Sequence, residues 1–126
     1  MMDSIKYPCP CCGYFMFENP PGSYDICEIC CWEDDLSQLR FPSMGGANRV
    51  GLIEGQLNFD KFGASELRHL PRVGTPKPEE KRDLEWRPIN QDTDHIERPA
   101  GGTDYGETYP KDLTVLYYWR HTYWGR

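Results

Sequence analysis

Residues 7–17 read YPCPCCGYFMF, and the chemistry of the three cysteines in that stretch decides the fold. Cys9 and Cys12 form a C-x2-C pair, Cys27 and Cys30 form a second, and fourteen residues separate the pairs. Two such pairs at this distance come close to the four-thiolate zinc pattern, which is a specific signal. Pro10 stiffens the first turn. Gly13 supplies a residue able to take a positive φ, so that backbone N–H groups turn toward the sulfurs. A disulfide frame is the weaker reading, because a reducing cytosol keeps thiols free. The start, MMDSIKY, has an acidic residue where a secretion signal is positive and then apolar, and no stretch reaches the roughly 18 to 20 apolar residues of a membrane helix. The expected location is therefore cytoplasmic.

CPxC also occurs in thioredoxin-like oxidoreductases, where a helix N-terminus lowers the pKa of the first thiol. Here Cys12 is followed by Gly13 and by the strand-like run Tyr14 to Phe17, which ends at the turn cluster Asn19-Pro20-Pro21-Gly22-Ser23. Thiol redox chemistry is thus a minor alternative. The aromatic run and Tyr24-Asp25-Ile26 read as a hairpin that brings the second knuckle back to face the first. The result is a zinc ribbon with Cys9, Cys12, Cys27 and Cys30 as ligands. Iron also suits four thiolates, but two well-spaced pairs in a small chain favour Zn2+. Cys11 and Cys31 fall outside both pairs. They read as small buried thiols without chemistry, ahead of a ligand register that includes them or a regulatory disulfide between them.

At 126 residues the chain suits a single domain. Its 12 Gly and 11 Pro, beside 38% apolar and 27% charged residues, predict a loop-rich folded protein. The expected class is small α+β: a ribbon over 1–45, a helical part over 46–72, a Pro/Gly-rich wrapping segment over 73–103 and an aromatic segment over 104–126. Leu52, Ile53, Leu57, Phe59 and Phe62 recur at helical offsets and predict a helix that Gly63 ends. Gly55 costs that helix about 1 kcal/mol relative to Ala, so it depends on packing. Ser65 is placed to cap a short turn from Glu66 to Leu70 before Pro71, and one further helical turn is expected after Pro78. The closing TVLYYWRHTYWGR predicts a strand from Leu113 to Thr122. A core strand that closes the fold is the leading reading of it and a protein interface anchored by Trp119 or Trp124 the other, and both hold if one face packs inward and the other stays outside.

Charge separates the candidate partners. Residues 1–35 hold seven acidic and one basic side chain, while residues 36–126 hold thirteen of each, so the net charge of −6 sits on the ribbon. Glu33-Asp34-Asp35 extends the acidic face past the second knuckle. Such a face repels phosphates and attracts a basic protein. His69, His95 and His121 are scattered, and no nucleophile or second metal site accompanies them. The composite expectation is a non-enzymatic zinc-binding interaction module whose partner contacts are Glu33, Asp34, Asp35, Trp119 and Trp124. A nucleic-acid-associated ribbon is the alternative, with the tail aromatics as a stacking platform.

Three blocks in order, YPCPCCG, PPGSYDICEICCWEDD and GGANRVGLIEGQLNFDKFGAS, resemble the bacterial cysteine-rich CPCC family over roughly Tyr7 to Trp86. The resemblance implies a small zinc-ribbon-like bacterial protein without assigned catalytic activity, associated with toxin and immunity gene neighbourhoods. It implies an immunity or antitoxin role, and the acidic ribbon makes a basic toxin the expected partner. Cys31 departs from the family's more usual aromatic or Gly, and Gly51 and Gly55 stand where a better cap and a better helix former are usual. The chain after about Asn90 lies outside the resemblance.

Overall fold

The computed structural model describes residues 6–98 and 109–125. Two strands, β1 (Tyr7–Pro8) and β2 (Phe15–Phe17), pair antiparallel with Tyr7 opposite Phe17 and Pro8 opposite Phe15. The first knuckle is the tip of this hairpin. Tyr24-Asp25-Ile26 does not pair with the aromatic run, contrary to the hairpin expected from the sequence. Instead Ile26 forms a bridge with Glu33 across the second knuckle, so each C-x2-C pair closes its own turn. The cause lies in the linker: Gly22 (φ 94°) and Tyr24 (φ 62°) both take left-handed conformations, which an extended partner strand does not accept.

Helix α1 (Leu36–Arg40) begins at Asp35, whose carboxylate accepts from the Ser37 and Gln38 amides. Helix α2 (Leu52–Phe62) ends where expected, with Gly63 left-handed at φ 85° and its N–H on the Phe59 carbonyl. At its start, Gly51 replaces a capping side chain because a Cβ there would lie 2.7 Å from the Pro42 carbonyl oxygen. The buried face of α2 differs from the apolar stripe read in the sequence. Leu52, Gly55 and Gln56 are buried and Phe59 packs beside them, whereas Leu57 is 61% exposed. The spacing is still that of one helical face, but a glycine and an amide occupy its middle.

Gly55 has a packing reason. A Cβ at that position would stand 3.1 Å from Cζ3 of Trp32 and 3.4 Å from the Cys11 sulfur, so the helix backbone rests directly on the cysteine core. Gln56 fills the other gap. Its amide nitrogen donates to the Pro10 carbonyl and to the Tyr118 hydroxyl, both at 2.9 Å, and its oxygen accepts from the Ile89 amide at 2.9 Å. One buried side chain thereby joins the first knuckle, the wrapping segment and the C-terminal block, and every polar atom it brings inside is paired.

A 3-10 helix over Leu67–Arg72 follows, and it runs through Pro71 instead of stopping before it. Ser65 does not cap it: the Ser65 hydroxyl is buried without a partner, while its amide donates to the Cys30 carbonyl. Lys77 to Glu80 form a single turn closed by the Glu80 amide on the Lys77 carbonyl. The strand expected over Leu113 to Thr122 is a 3-10 helix at Leu113–Leu116 and then turns, and among the described residues it pairs with no strand. Asp112 starts it by accepting from the Thr114 amide, and the aromatics that favour β structure are buried by packing, not by a ladder. The core gathers the cysteines with Trp32, Leu52, Leu116, Tyr117, Tyr118 and Trp119. No helix among the described residues is long and apolar enough to cross a membrane.

Candidate metal centre

The two knuckles have the same backbone construction. In the first, the Cys9 amide donates to the Tyr14 carbonyl (2.8 Å) and the Gly13 amide to the Cys9 carbonyl (2.7 Å). In the second, the Cys27 amide donates to Trp32 (2.9 Å) and the Cys31 amide to Cys27 (2.8 Å). The residue after each second ligand is left-handed: Gly13 at φ 84° and Cys31 at φ 67°. Cys31 therefore holds a position where glycine is conformationally cheaper. The first knuckle could not exchange its glycine in the same way, because a Cβ on Gly13 would lie 2.6 Å from the Trp86 ring.

These turns bring Cys9, Cys12, Cys27 and Cys30 together with all four sulfurs within 4.8 Å of one another. Cys9 and Cys30 are 3.6 Å apart and Cys12 and Cys27 are 3.7 Å apart. A tetrahedral ion with metal–sulfur bonds of about 2.3 Å has sulfur–sulfur edges of about 3.8 Å, so the set is already sized for such an ion. All four are buried, at 0 to 1% exposure, and no disulfide links any of the six cysteines.

Burial makes the cluster resist multiple negative charge. It raises the Cys9 and Cys30 thiols well above their ordinary value. Cys27 goes the other way: hydrogen bonds from Cys12, Cys30 and Cys9, together with the Cys30 amide, hold it well below. A dication supplies the positive charge that four thiolates sharing this buried volume require.

Cys11 is fully buried beneath Gly55, burial raises its pKa, and its sulfur lies outside the four-sulfur cluster. Cys31 is buried at 7% exposure with its thiol away from the four sulfurs' set.

Later segments brace each knuckle. The Arg82 guanidinium donates to the Cys12 carbonyl (2.8 Å), the Asp83 amide to Gly13 (2.7 Å) and the Trp86 indole to Pro10 (2.9 Å). The second knuckle is tied by the Ser65 amide on Cys30 (2.9 Å) and the Gly74 amide on Glu28 (3.0 Å). Asp83 is 4% exposed and accepts from the Trp119 indole at 3.0 Å and from Arg120 at 2.5 Å, which fastens the brace to the C-terminal block. Sequence patterns gave no sign of these braces, because arginine, aspartate and tryptophan at 82, 83 and 86 fall in a stretch without periodicity.

A family model described as Cysteine-rich CPCC matches residues 7–80. The chain belongs to the cysteine-rich CPCC family. No curated protein matches it. The CPCC match contains all four clustered cysteines and the second-knuckle brace. The first-knuckle brace at Arg82, Asp83 and Trp86 lies beyond it.

Several residues expected at a partner surface lie elsewhere in this CPCC protein. Asp34 is 3% exposed and accepts from the Ser23 hydroxyl (2.8 Å) and amide, and burial raises its pKa. Asp35 is 6% exposed, occupied by α1 and by the Ala47 amide at 2.8 Å. Both organise loops: Gln38 and Asn48 extend the same buried network to the Glu33 backbone and to the carbonyls of Met44 and Val50. Glu33 itself is half-buried. Trp119 is buried at 7% exposure and Trp124 is half-buried under the Arg40 guanidinium, 4.9 Å from its ring centre. Tyr117 and Tyr118 are buried as well, so these rings do not form an exposed stacking platform. The acidic surface is instead a groove of about 430 Å³ lined by Glu18, Asp25, Glu28 and Glu80 around Ile26, whose side chain is 60% exposed.

Proposed function

We propose that this CPCC protein is a non-enzymatic zinc-binding module that docks a basic protein partner. The observation that carries the reading is the closed cage: four buried sulfurs already at tetrahedral spacing leave no open coordination position for a substrate, as in structural rather than catalytic zinc sites. Cys9, Cys12, Cys27 and Cys30 would hold the ion, which when bound supplies folding energy and charge neutralisation. Zinc is proposed over iron because the cage sits in a small chain built for one closed structural site.

The acidic groove around Ile26 takes the place of the expected Glu33-Asp34-Asp35 face. Its four carboxylates against Lys6, with an exposed isoleucine between them, suit a basic segment that also presents an apolar side chain. The most specific form of the proposal is an immunity protein neutralising a basic toxin in a bacterial cytoplasm, which extends the reading along the family resemblance.

Affinity capture from the native host with the wild-type chain, compared with Glu18→Lys/Glu28→Lys and with Ile26→Asp, tests the docking. A basic protein retained by the wild type and lost with both variants is the expected result. Recovery of RNA, or a partner held equally by all three chains, would overturn the proposed surface.

A further inference from the structure

Ile26 borders two depressions. On one side is the acidic groove, and on the other, beside the second knuckle, lies a cleft of about 250 Å³ that Ile26 shares with Cys31 and Ala47. The backbone at Ile26 is fixed on both sides. Ile26 bridges Glu33, the Cys27 amide donates to the Trp32 carbonyl at 2.9 Å, and the Asp34 amide donates to the Asp25 carbonyl at 2.9 Å. An isoleucine that is 60% exposed therefore stands on a short hydrogen-bonded ladder, where a partner can cover it with little loss of backbone freedom.

The charges around the cleft balance. Arg68 Nε donates at 2.8 Å to Glu66, which is 5% exposed, and Arg72 shares the lining with Glu33. His69 stands between Glu66 and Arg72, with Nε2 3.7 Å from the carboxylate and Nδ1 3.3 Å from the guanidinium. A charged ligand group gains little from such a rim. What the cleft offers is apolar contact from Ile26, Cys31 and Ala47 and from the aliphatic stems of the two arginines. The groove across Ile26 differs in kind, with four carboxylates against Lys6. A basic side chain is drawn into the groove and gains nothing beside Arg72.

We propose that the cleft is the anchor pocket of the docking face: a protein partner lays a basic run in the acidic groove and inserts the adjoining aromatic side chain into the cleft across Ile26. An apolar cavity of about 150 Å³ admits a benzene ring, so the cleft has room for one such side chain. Aromatic anchors seated in pockets are where interface energy concentrates. The inference rests on the acidic groove as the docking face and adds its specificity. The partner carries basic residues on one side of the anchor only, because Arg72 faces the other.

The test is titration of the 15N-labelled, metal-loaded chain with acetyl-Lys-Lys-Lys-Phe-amide and its reverse, acetyl-Phe-Lys-Lys-Lys-amide, against the same two peptides with Ser in place of Phe. The better Phe peptide is expected to bind at least about tenfold tighter than its Ser counterpart, since one aromatic side chain leaves water. It should shift the amides of Cys31, Ala47 and Asn48 together with those of Asp25 and Glu28, whereas the Ser peptides shift only the last two. Ala47 is exposed, so Ala47→Phe fills the cleft without entering the core, and it should abolish the advantage of Phe while leaving the groove shifts in place. Phe and Ser peptides of equal affinity, or a Phe advantage that survives Ala47→Phe, would overturn the anchor pocket and leave the groove standing. No saturation with any peptide by about 10 mM would overturn groove and anchor together.

Discussion

Exchanging the left-handed residues of the two knuckles should give opposite outcomes. In Cys31→Gly, relief of a left-handed non-glycine residue returns about 1 to 2 kcal/mol. Added chain entropy of glycine costs about 0.5 to 1 kcal/mol, and loss of a small buried side chain about 1 kcal/mol. The net change is within about 1 kcal/mol of zero. In Gly13→Ala the same conformational penalty of about 1 to 2 kcal/mol is incurred with no relief. The new Cβ also lies 2.6 Å from the Trp86 ring, which must move and surrender its hydrogen bond to Pro10. Losing that bond adds about 1 kcal/mol and the displaced aromatic packing about 1 to 3 more, for a total near 3 to 6 kcal/mol. Urea unfolding of the metal-loaded variants, followed by tryptophan fluorescence, measures both. Equal destabilisation by the two substitutions, or a Cys31→Gly cost above about 3 kcal/mol, would refute the account of the knuckles.

Single serine substitutions at Cys9, Cys12, Cys27 or Cys30 should abolish stoichiometric metal by elemental analysis, while Cys11→Ser and Cys31→Ser retain it; the reverse pattern would mean a different ligand register. Asp83→Ala leaves the buried Trp119 indole without its acceptor and Arg120 without one of its carboxylates, Glu85 remaining; an unsatisfied buried donor costs about 1 to 3 kcal/mol, with faster metal loss to a chromogenic chelator as the second readout. His69, held below its ordinary value, remains neutral in the folded state while the unfolded chain takes up a proton. Stability should therefore fall as pH drops below about 6.5 and level off beneath the depressed folded value, and His69→Gln should flatten that slope in urea midpoints across the same range.

The cage was legible in the sequence because metal ligation depends on local spacing: two C-x2-C pairs each specify a turn, and the turns need only meet. The end of α2 was legible for the same reason, since Gly63 is a local stop signal. What the sequence concealed depends on distant partners. Leu57 looks like core by offset and is exposed, because the cysteine cluster approaches the helix at Gly55 and leaves room there for backbone alone. Asp34 and Asp35 look like a solvated acidic run, yet backbone N–H groups from loops at Ser23 and Ala47 draw them inside. Tyr117 to Trp119 have strand composition, but their burial is set by Gln56 and Asp83, which lie 36 to 62 residues away in sequence. The hairpin register failed for a simpler reason, the left-handed Tyr24, which β-like composition does not signal.

The central claim is that Cys9, Cys12, Cys27 and Cys30 form a closed four-sulfur zinc site. X-ray absorption at the zinc edge of freshly purified, reduced protein tests it in one spectrum. Four sulfur scatterers at about 2.3 Å, with no lighter ligand, are the predicted result. Nitrogen or oxygen in the first coordination sphere, fewer than four sulfurs, or no zinc edge at all would contradict it.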